Sequence, residues 1–222
     1  MYRVKEIFYT LQGEGARTGR PSVFCRFSGC NLWSGREAQR QDATCKFCDT
    51  DFVGVDGPGG GRFRSPADLA DAVRALWPVS ESITSGLDKP GAARAVPYVV
   101  CTGGEPLLQL DEPLIDALHV RGFEVAVETN GTRPVPAGVD WVCVSPKAGA
   151  KRIVDSGNEM KVVYPQDGLD LDSLALADFE FRFLQPMDGP ERERNTAAAL
   201  GYCLEHPWWR LSLQTHKILG IA

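Results

Sequence analysis

The chain has 222 residues, a hydrophobic content of 43% and a formal net charge of −5. That length fits one domain, or at most two small ones, and is long enough to build a core without disulfide staples. No apolar run approaches the roughly 20 residues needed to cross a bilayer, and the acidic balance argues against a dedicated nucleic-acid surface, which is usually basic.

In chain order, residues 2–10 and 22–28 read as strands rich in Val, Ile, Phe and Tyr. The turn between them carries Gly13, Gly15, Gly19 and Pro21. Residues 54–61, dense in glycine, read as a flexible loop. A helix is expected from Ser65-Pro66-Ala67-Asp68: Ser can cap, Pro suits the first helical position and Asp sits in the first turn. Leu69, Val73 and Leu76-Trp77 would form its apolar face. Residues 80–96 look like an exposed connection. A βα rhythm follows, with a strand at 98–101, a helix at 111–121 ending before Gly122, and strands at 123–128, 141–144 and 160–164. A short helix at 170–177, a strand at 180–184, a helix at 191–205 stopped by Pro207 and a strand at 208–214 complete the pattern. Strands alternating with helices imply a mainly parallel sheet with helices outside it. Periodicity does not choose between an open sheet and a barrel.

Ligands in such folds bind at the C-terminal ends of the strands. Thr102-Gly103-Gly104-Glu105, Glu128-Thr129-Asn130-Gly131, Ser145-Pro146-Lys147 and Gln185-Pro186-Met187-Asp188 all fall at such ends and predict a pocket there.

The seven cysteines divide into two sets. Cys25, Cys101 and Cys143 sit in apolar strand-like runs and Cys203 in a helix, which suits small buried hydrophobes. Cys30, Cys45 and Cys48 stand among Gly, Asn, Lys and Asp, on loops, where functional residues concentrate. Three thiolates leave one coordination position open, whereas a closed structural site takes four protein ligands. Zinc is the main competitor, with Cys25 or Asp49 as the fourth ligand; a thioredoxin-like redox pair would normally open a helix after a first strand. An odd cysteine count argues against a disulfide framework. The N-terminus, Met1-Tyr2-Arg3-Val4-Lys5-Glu6, is mixed in charge and unlike a secretory h-region, so a soluble cytoplasmic protein is expected.

Cys45-Lys46-Phe47-Cys48 with one upstream cysteine resembles the cluster motif of radical S-adenosylmethionine (SAM) enzymes. Fourteen residues, Asn31 to Thr44, separate the first two cysteines, against three in most of that superfamily. This insertion, with Leu11-Gln12-Gly13-Glu14-Gly15 and Thr102-Gly103-Gly104-Glu105-Pro106, makes the chain similar to the 7-carboxy-7-deazaguanine synthases. The similarity runs from Lys5-Glu6-Ile7-Phe8 to Gln214-Thr215-His216-Lys217. It implies a modified, partial TIM-like barrel with fewer helices than the usual radical SAM core, in a single domain 1–222 with a cluster-binding insertion at 31–44. The implied activity is a carbon–nitrogen lyase on the path to queuosine. A radical formed from SAM at a reduced 4Fe-4S cluster abstracts hydrogen from 6-carboxy-5,6,7,8-tetrahydropterin. The ring then contracts and loses ammonia, giving 7-carboxy-7-deazaguanine. Electron donor (flavodoxin or ferredoxin) and homodimer are further implications.

The resemblance places the cluster on Cys30, Cys45 and Cys48. It places SAM against Phe47, Cys48, Asp49, Gly104, Ser145, Pro146, Lys147, Gln185, Pro186, Met187 and Asp188, and the pterin against Leu11, Gln12, Gly13, Glu14, Arg26, Thr102, His216 and Ala222. Glu and Gln can read the donor–acceptor edge of a pterin, and Arg can grip its carboxylate. Mg²⁺ is expected on the Thr50 hydroxyl, within an oxygen-rich Asp-Thr-Asp run. Plain structural alternatives stand beside these: Gly103-Gly104 as a tight turn, Arg26 as an outward strand residue, and Asp49-Thr50-Asp51 as an Asx or Ser/Thr turn. His119 reads as a helix-surface residue and His206 as a helix-end residue.

Overall fold

The computed structural model describes residues 1–78 and 96–222, so the connection expected at 80–96 lies outside the described residues except for Val96. The strands are β1 (Tyr2–Leu11), β2 (Pro21–Phe27), β3 (Gly61–Phe63), β4 (Tyr98–Gly103), β5 (Glu124–Thr129), β6 (Trp141–Val144), β7 (Ser156–Tyr164), β8 (Asp178–Pro186) and β9 (Arg210–Leu211). The helices are α1 (Pro66–Leu76), α2 (Glu112–Val120), α3 (Leu171–Ala175), α4 (Arg192–Glu205) and α5 (Thr215–Leu219). One mixed sheet runs in the order β3-β1-β2-β4-β5-β6-β7-β8-β9. β1 pairs antiparallel with β2 and β3, and every later pairing is parallel.

The two-residue period of the strands sorts side chains onto two faces. Val23, Cys25 and Phe27 of β2, Val99 and Cys101 of β4, and Val125 and Val127 of β5 join Leu69 and Val73 of α1 and Leu114, Ile115 and Leu118 of α2 in one core. Met160 and Val162 of β7 and Leu184 of β8 pack with Leu174 of α3 and Ala199 of α4 in a second. The alternate positions face away from the helices. Their deep layer is apolar, with Tyr98, Val100, Ala126, Trp141 and Cys143. Arg17 and Arg20 cover that layer, at 4.0 Å over Trp141 and 3.8 Å over Tyr98, and both pair with Glu124. The layer toward the strand C-termini is polar.

Helix caps match the expected boundaries. Ser65 and Asp68 form a capping box with Pro66 at the first helical position of α1. The Asp111 carboxylate accepts from Leu114 N at the start of α2.

Four expectations need correction. The glycine-rich segment 54–61 is not loose. Gly57 N donates to Lys5 O at 2.9 Å and Ile7 N to Pro58 O at 2.8 Å, and a Cβ at Gly59 would meet Ile7 O at 2.9 Å. The segment therefore lies against β1 and runs into β3, a three-residue edge strand too short to show a period. The strand expected at 208–214 shrinks to Arg210–Leu211, because the Ser212 side chain turns toward the site and bonds Gly15 N and Gln185. The tail beyond it forms α5, closed by Gly220 at φ 66° in the left-handed region. Leu76 is exposed and stands off the apolar face of α1, and Cys203 is only partly buried against the second core. His119 lies on the exposed surface of α2 as expected, with its Nε2 2.8 Å from Asp140.

Candidate active site

Inward positions near the strand C-termini bring Arg26 (β2), Thr102 (β4), Glu128 (β5), Lys161 (β7) and Gln185 (β8) onto one wall. They line a cavity of about 390 Å³, a size suited to small-molecule ligands. The loop after β1 closes one side by crossing to the far strands. Glu14 reaches Lys161 at 2.5 Å, Gly15 N donates to Ser212 Oγ at 2.9 Å and Ala16 N to Glu159 at 3.0 Å. The tail is held to the same loop, with Thr215 N donating to Gly13 O at 2.9 Å. The chain's last carbonyl, on Ala222, accepts from Thr10 Oγ1 at 2.8 Å.

The three loop cysteines join this lining. Cys30, Cys45 and Cys48 all line the cavity, while Cys25, Cys101 and Cys143 are buried in the sheet. Residues 31–44 make a compact loop with a 3₁₀ turn at Glu37–Asp42 and a small core of its own, Trp33, Ala43 and Phe52, against which Cys30 and Cys48 pack. Arg40 ties the loop down. It stacks 4.1 Å over Trp33 and donates to the carbonyls of Lys46 and Cys48 at 2.8 and 3.0 Å.

The thiol environments differ by set. Burial raises Cys25, Cys101 and Cys143, Cys101 to about 12, which leaves them as inert thiols. Cys45 and Cys48 perturb each other, and their mutual interaction favours a thiol on one and a thiolate on the other. Burial raises Cys30, although Leu32 N points at its sulfur at 3.4 Å. Three thiols with nearby backbone N–H groups and an adjacent, partly buried Lys147 fit an anionic cluster held on one side only. A zinc site lacks its fourth ligand: Cys25 is buried behind β2 and Asp49 is paired with Lys217 at 2.6 Å. Among the described residues no group of three His, Cys, Asp or Glu side chains converges as a single metal ion requires.

Gly103-Gly104 is explained by its own chain. Gly103 has φ 126°, and a Cβ at Gly104 would overlap the Gly29 carbonyl and approach Cys30 Cβ to 2.9 Å. The pair lets the tip of β4 pack directly beneath the first cysteine. Glu105, fully buried, then accepts from Leu107 N at 3.0 Å, Thr129 Oγ1 at 2.7 Å and Asn130 N at 2.8 Å, fastening β4 to the tip of β5. Burial raises its carboxyl, and the hydrogen bonds work against that. Lys147 is anchored on Ser145 O at 2.8 Å and Ser145 Oγ at 2.6 Å, lies 5.9 Å from the centre of the Phe47 ring, and is lowered by burial.

Every expected site residue except Pro146 is on the cavity wall. Pro146 is buried behind it, and its carbonyl faces the Gln166 amide at 3.5 Å. Arg26 donates to Glu6 at 2.7 Å through Nε, which leaves the outer edge of its guanidinium toward the cavity. Both carboxylates beside Thr50 are engaged, Asp49 with Lys217 and Asp51 with Lys5 at 2.9 Å. Among the described residues the Thr50 hydroxyl has no protein partner.

Sequence reasoning placed Glu128 at a strand tip of the pocket and Gln214 and Lys217 in a motif without giving them a role, and it missed Lys161. Lys161 bridges Glu14 at 2.5 Å and Glu128 at 3.4 Å; Gln214 donates to Glu14 at 3.1 Å and Gln12 to Glu128 at 3.0 Å. Lys217 bridges Asp49 and Asp188 at 2.6 and 2.7 Å. Glu159-Met160-Lys161-Val162 carried the available signal: charges alternating with apolar residues in a strand whose other face is core. Burial alone would push Glu14 up, but the Lys161 ammonium overrides it and holds the carboxyl at about 2.

Residues 42–163 match the model of the Radical SAM superfamily. The chain is 58% identical over 220 residues to a 7-carboxy-7-deazaguanine synthase of Burkholderia multivorans, covering 99% of each protein. It is 60% identical over 220 residues to one of Bradyrhizobium diazoefficiens, again covering 99% of each. In structure it is similar to the crystal structure of QueE from Escherichia coli, with a TM-score of 0.62, 28% identity and coverage of 96% and 93%.

Proposed function

The chain belongs to the 7-carboxy-7-deazaguanine synthases of the radical SAM superfamily, and from that premise we propose that its cavity converts 6-carboxy-5,6,7,8-tetrahydropterin to 7-carboxy-7-deazaguanine with loss of ammonia. The observation that carries the proposal is a single cavity lined both by the three loop thiols and by Gln12, Glu14, Arg26 and Glu128.

When bound, the 4Fe-4S cluster and SAM supply a carbon radical that begins the reaction by hydrogen abstraction. Cys30, Cys45 and Cys48 would hold the cluster. Phe47, Asp49, Gly104, Ser145, Lys147 and the run Gln185 to Asp188 would face SAM. Lys147, cationic and fixed on Ser145, suits an anionic neighbour. On the substrate side, Arg26 offers the remaining guanidinium edge to the pterin carboxylate. Glu14 and Glu128 offer acceptors to its N–H edge, and Gln12 and Thr102 hold Glu128 in place. Leu11 and the His216 ring provide apolar and planar walls. The Thr50 hydroxyl would hold a hydrated Mg²⁺, which would supply positive charge for the substrate carboxylate. Residues 31–44 are the cluster-binding insertion of a single domain.

A cytoplasmic enzyme that takes electrons from a flavodoxin- or ferredoxin-like donor and pairs as a homodimer completes the reading. Its support is thiolate chemistry that suits a reducing compartment; among the described residues no helix is long and apolar enough to cross a membrane. The test is anaerobic reconstitution with iron and sulfide, then incubation with SAM, a reductant and the tetrahydropterin. The expected outcome is ammonia and 7-carboxy-7-deazaguanine by mass spectrometry. A reconstituted protein that cleaves SAM but leaves the pterin intact would overturn the substrate assignment.

A further inference from the structure

Lys161 is buried on the inner face of β7, its side chain 6% exposed, with its ammonium 2.5 Å from Glu14 and 3.4 Å from Glu128. The two carboxylates come from different elements, one from the loop after β1 and one from β5. Lys161 is the cation that joins them. Glu159, also buried, lies two residues back on the same face, beside the Cys143 thiol at 3.5 Å, and Lys147 approaches from the loop after β6. The groups facing the ammonium are therefore three carboxylates, one thiol and one like charge.

The acceptor geometry is specific. Both oxygens of Glu14 are taken, Oε2 by Lys161 and Oε1 by Gln214 at 3.1 Å. Oε1 of Glu128 is shared between Gln12 at 3.0 Å and Lys161, while Oε2 has only a long contact with Thr102 at 3.4 Å. Glu14 is fixed at both oxygens but each keeps a second lone pair, and Glu128 Oε2 is nearly free, so both carboxylates keep acceptor capacity for a ligand. Clustered carboxylates out of water cannot all stay ionised without a cation: one takes up a proton and becomes a donor. A donor there opposes the N–H groups of a 2-amino-4-oxopyrimidine.

We propose that Lys161 is a positioning residue that holds Glu14 and Glu128 side by side as hydrogen-bond acceptors for the N–H edge of the pterin, and so sets substrate affinity without touching the reacting atoms. This rests on the pterin reading of the cavity given above. It predicts that the charge at Lys161 matters more than its contacts, because its partners' orientation and protonation both follow from that charge.

The test uses holoenzyme with SAM and no reductant, so that nothing turns over, and 6-carboxypterin as a fluorescent probe that keeps the 2-amino-4-oxo edge. Lys161→Met should weaken probe binding by about tenfold or more, the scale of one charge-assisted hydrogen bond. The loss should shrink as pH rises and the carboxyls deprotonate. Lys161→Arg should restore affinity to within a few-fold, and SAM binding should be unchanged in both variants. If Lys161→Met does not fold, Lys161→Met/Glu128→Gln removes the uncompensated buried charge, and its probe binding should be equally weak. Wild-type affinity in the single or double variant, or a loss that Lys161→Arg fails to rescue, overturns the role of Lys161. Wild-type holoenzyme that does not bind 6-carboxypterin overturns the pterin reading instead.

Discussion

Gly13 packs directly against the His216 imidazole, leaving no room for a Cβ between them. Gly13 O also accepts from the Thr215 N–H at 2.9 Å and the Thr215 hydroxyl at 2.8 Å. The loop after β1 and the start of α5 are thus one unit, although some two hundred residues separate them. Gly13→Ala should displace His216 and raise the Michaelis constant for the pterin by about tenfold, the cost of a small steric shift in a positioned site. Cluster content should be unchanged, and a kinetic comparison against SAM as the varied substrate separates the two effects.

Cys30→Ala should abolish cluster binding or SAM cleavage, and Cys45→Ala and Cys48→Ala should do likewise. Cys101→Ala, in the core, should lower stability by about 1 kcal/mol, the scale of deleting one buried group. Iron and sulfide content and a denaturation curve distinguish the two behaviours. Full activity in Cys30→Ala would remove it from the cluster.

Thr50→Ala should blunt the response of turnover to added Mg²⁺ and leave the cluster spectrum intact. Asp49 and Asp51 are held by Lys217 and Lys5, so neither carboxylate is placed to take over. A Mg²⁺ titration identical to wild type would strike Thr50 from the site.

The tail should matter to the pterin more than to SAM. Ala222 O is held by Thr10, and Lys217 clasps Asp49 and Asp188. Deleting Ile221 and Ala222, or adding a C-terminal tag, should raise the pterin Michaelis constant several-fold more than that for SAM. Normal pterin binding in both would make the tail structural.

Acid should dissolve the Glu14–Lys161 link. The carboxyl is lowered from 4.5 to about 2 in the fold, so its ionised form is favoured by folding. That stability is fully present above about pH 4.5 and is lost as pH falls through about 2. Urea unfolding at stepped pH should show Glu14→Gln losing this part of the acid dependence; equal slopes in wild type and variant would contradict it.

The fold was legible where local signals agree with packing. Ser65-Pro66-Ala67-Asp68 names its own cap, and Tyr98–Cys101 and Trp141–Val144 are apolar runs buried on both faces. β3 and α5 were not legible because each is too short for its period to repeat and is fixed by distant contacts, β3 by pairing with β1 and α5 by Thr215 bonding Gly13. The site divides in the same way. Cys30, Cys45, Cys48 and the strand-tip motifs stand out by residue type and spacing. Lys161 and Lys217 do not, because an ion pair between residues far apart in sequence leaves little mark on either neighbourhood.

The central claim is that one cavity brings the cofactor's radical to the pterin. It is tested most directly by supplying the tetrahydropterin deuterated on its saturated ring carbons and measuring deuterium in the 5′-deoxyadenosine released by reduced holoenzyme. The account predicts deuterium in that product, matched to formation of 7-carboxy-7-deazaguanine. Unlabelled 5′-deoxyadenosine formed alongside the deazaguanine would contradict it.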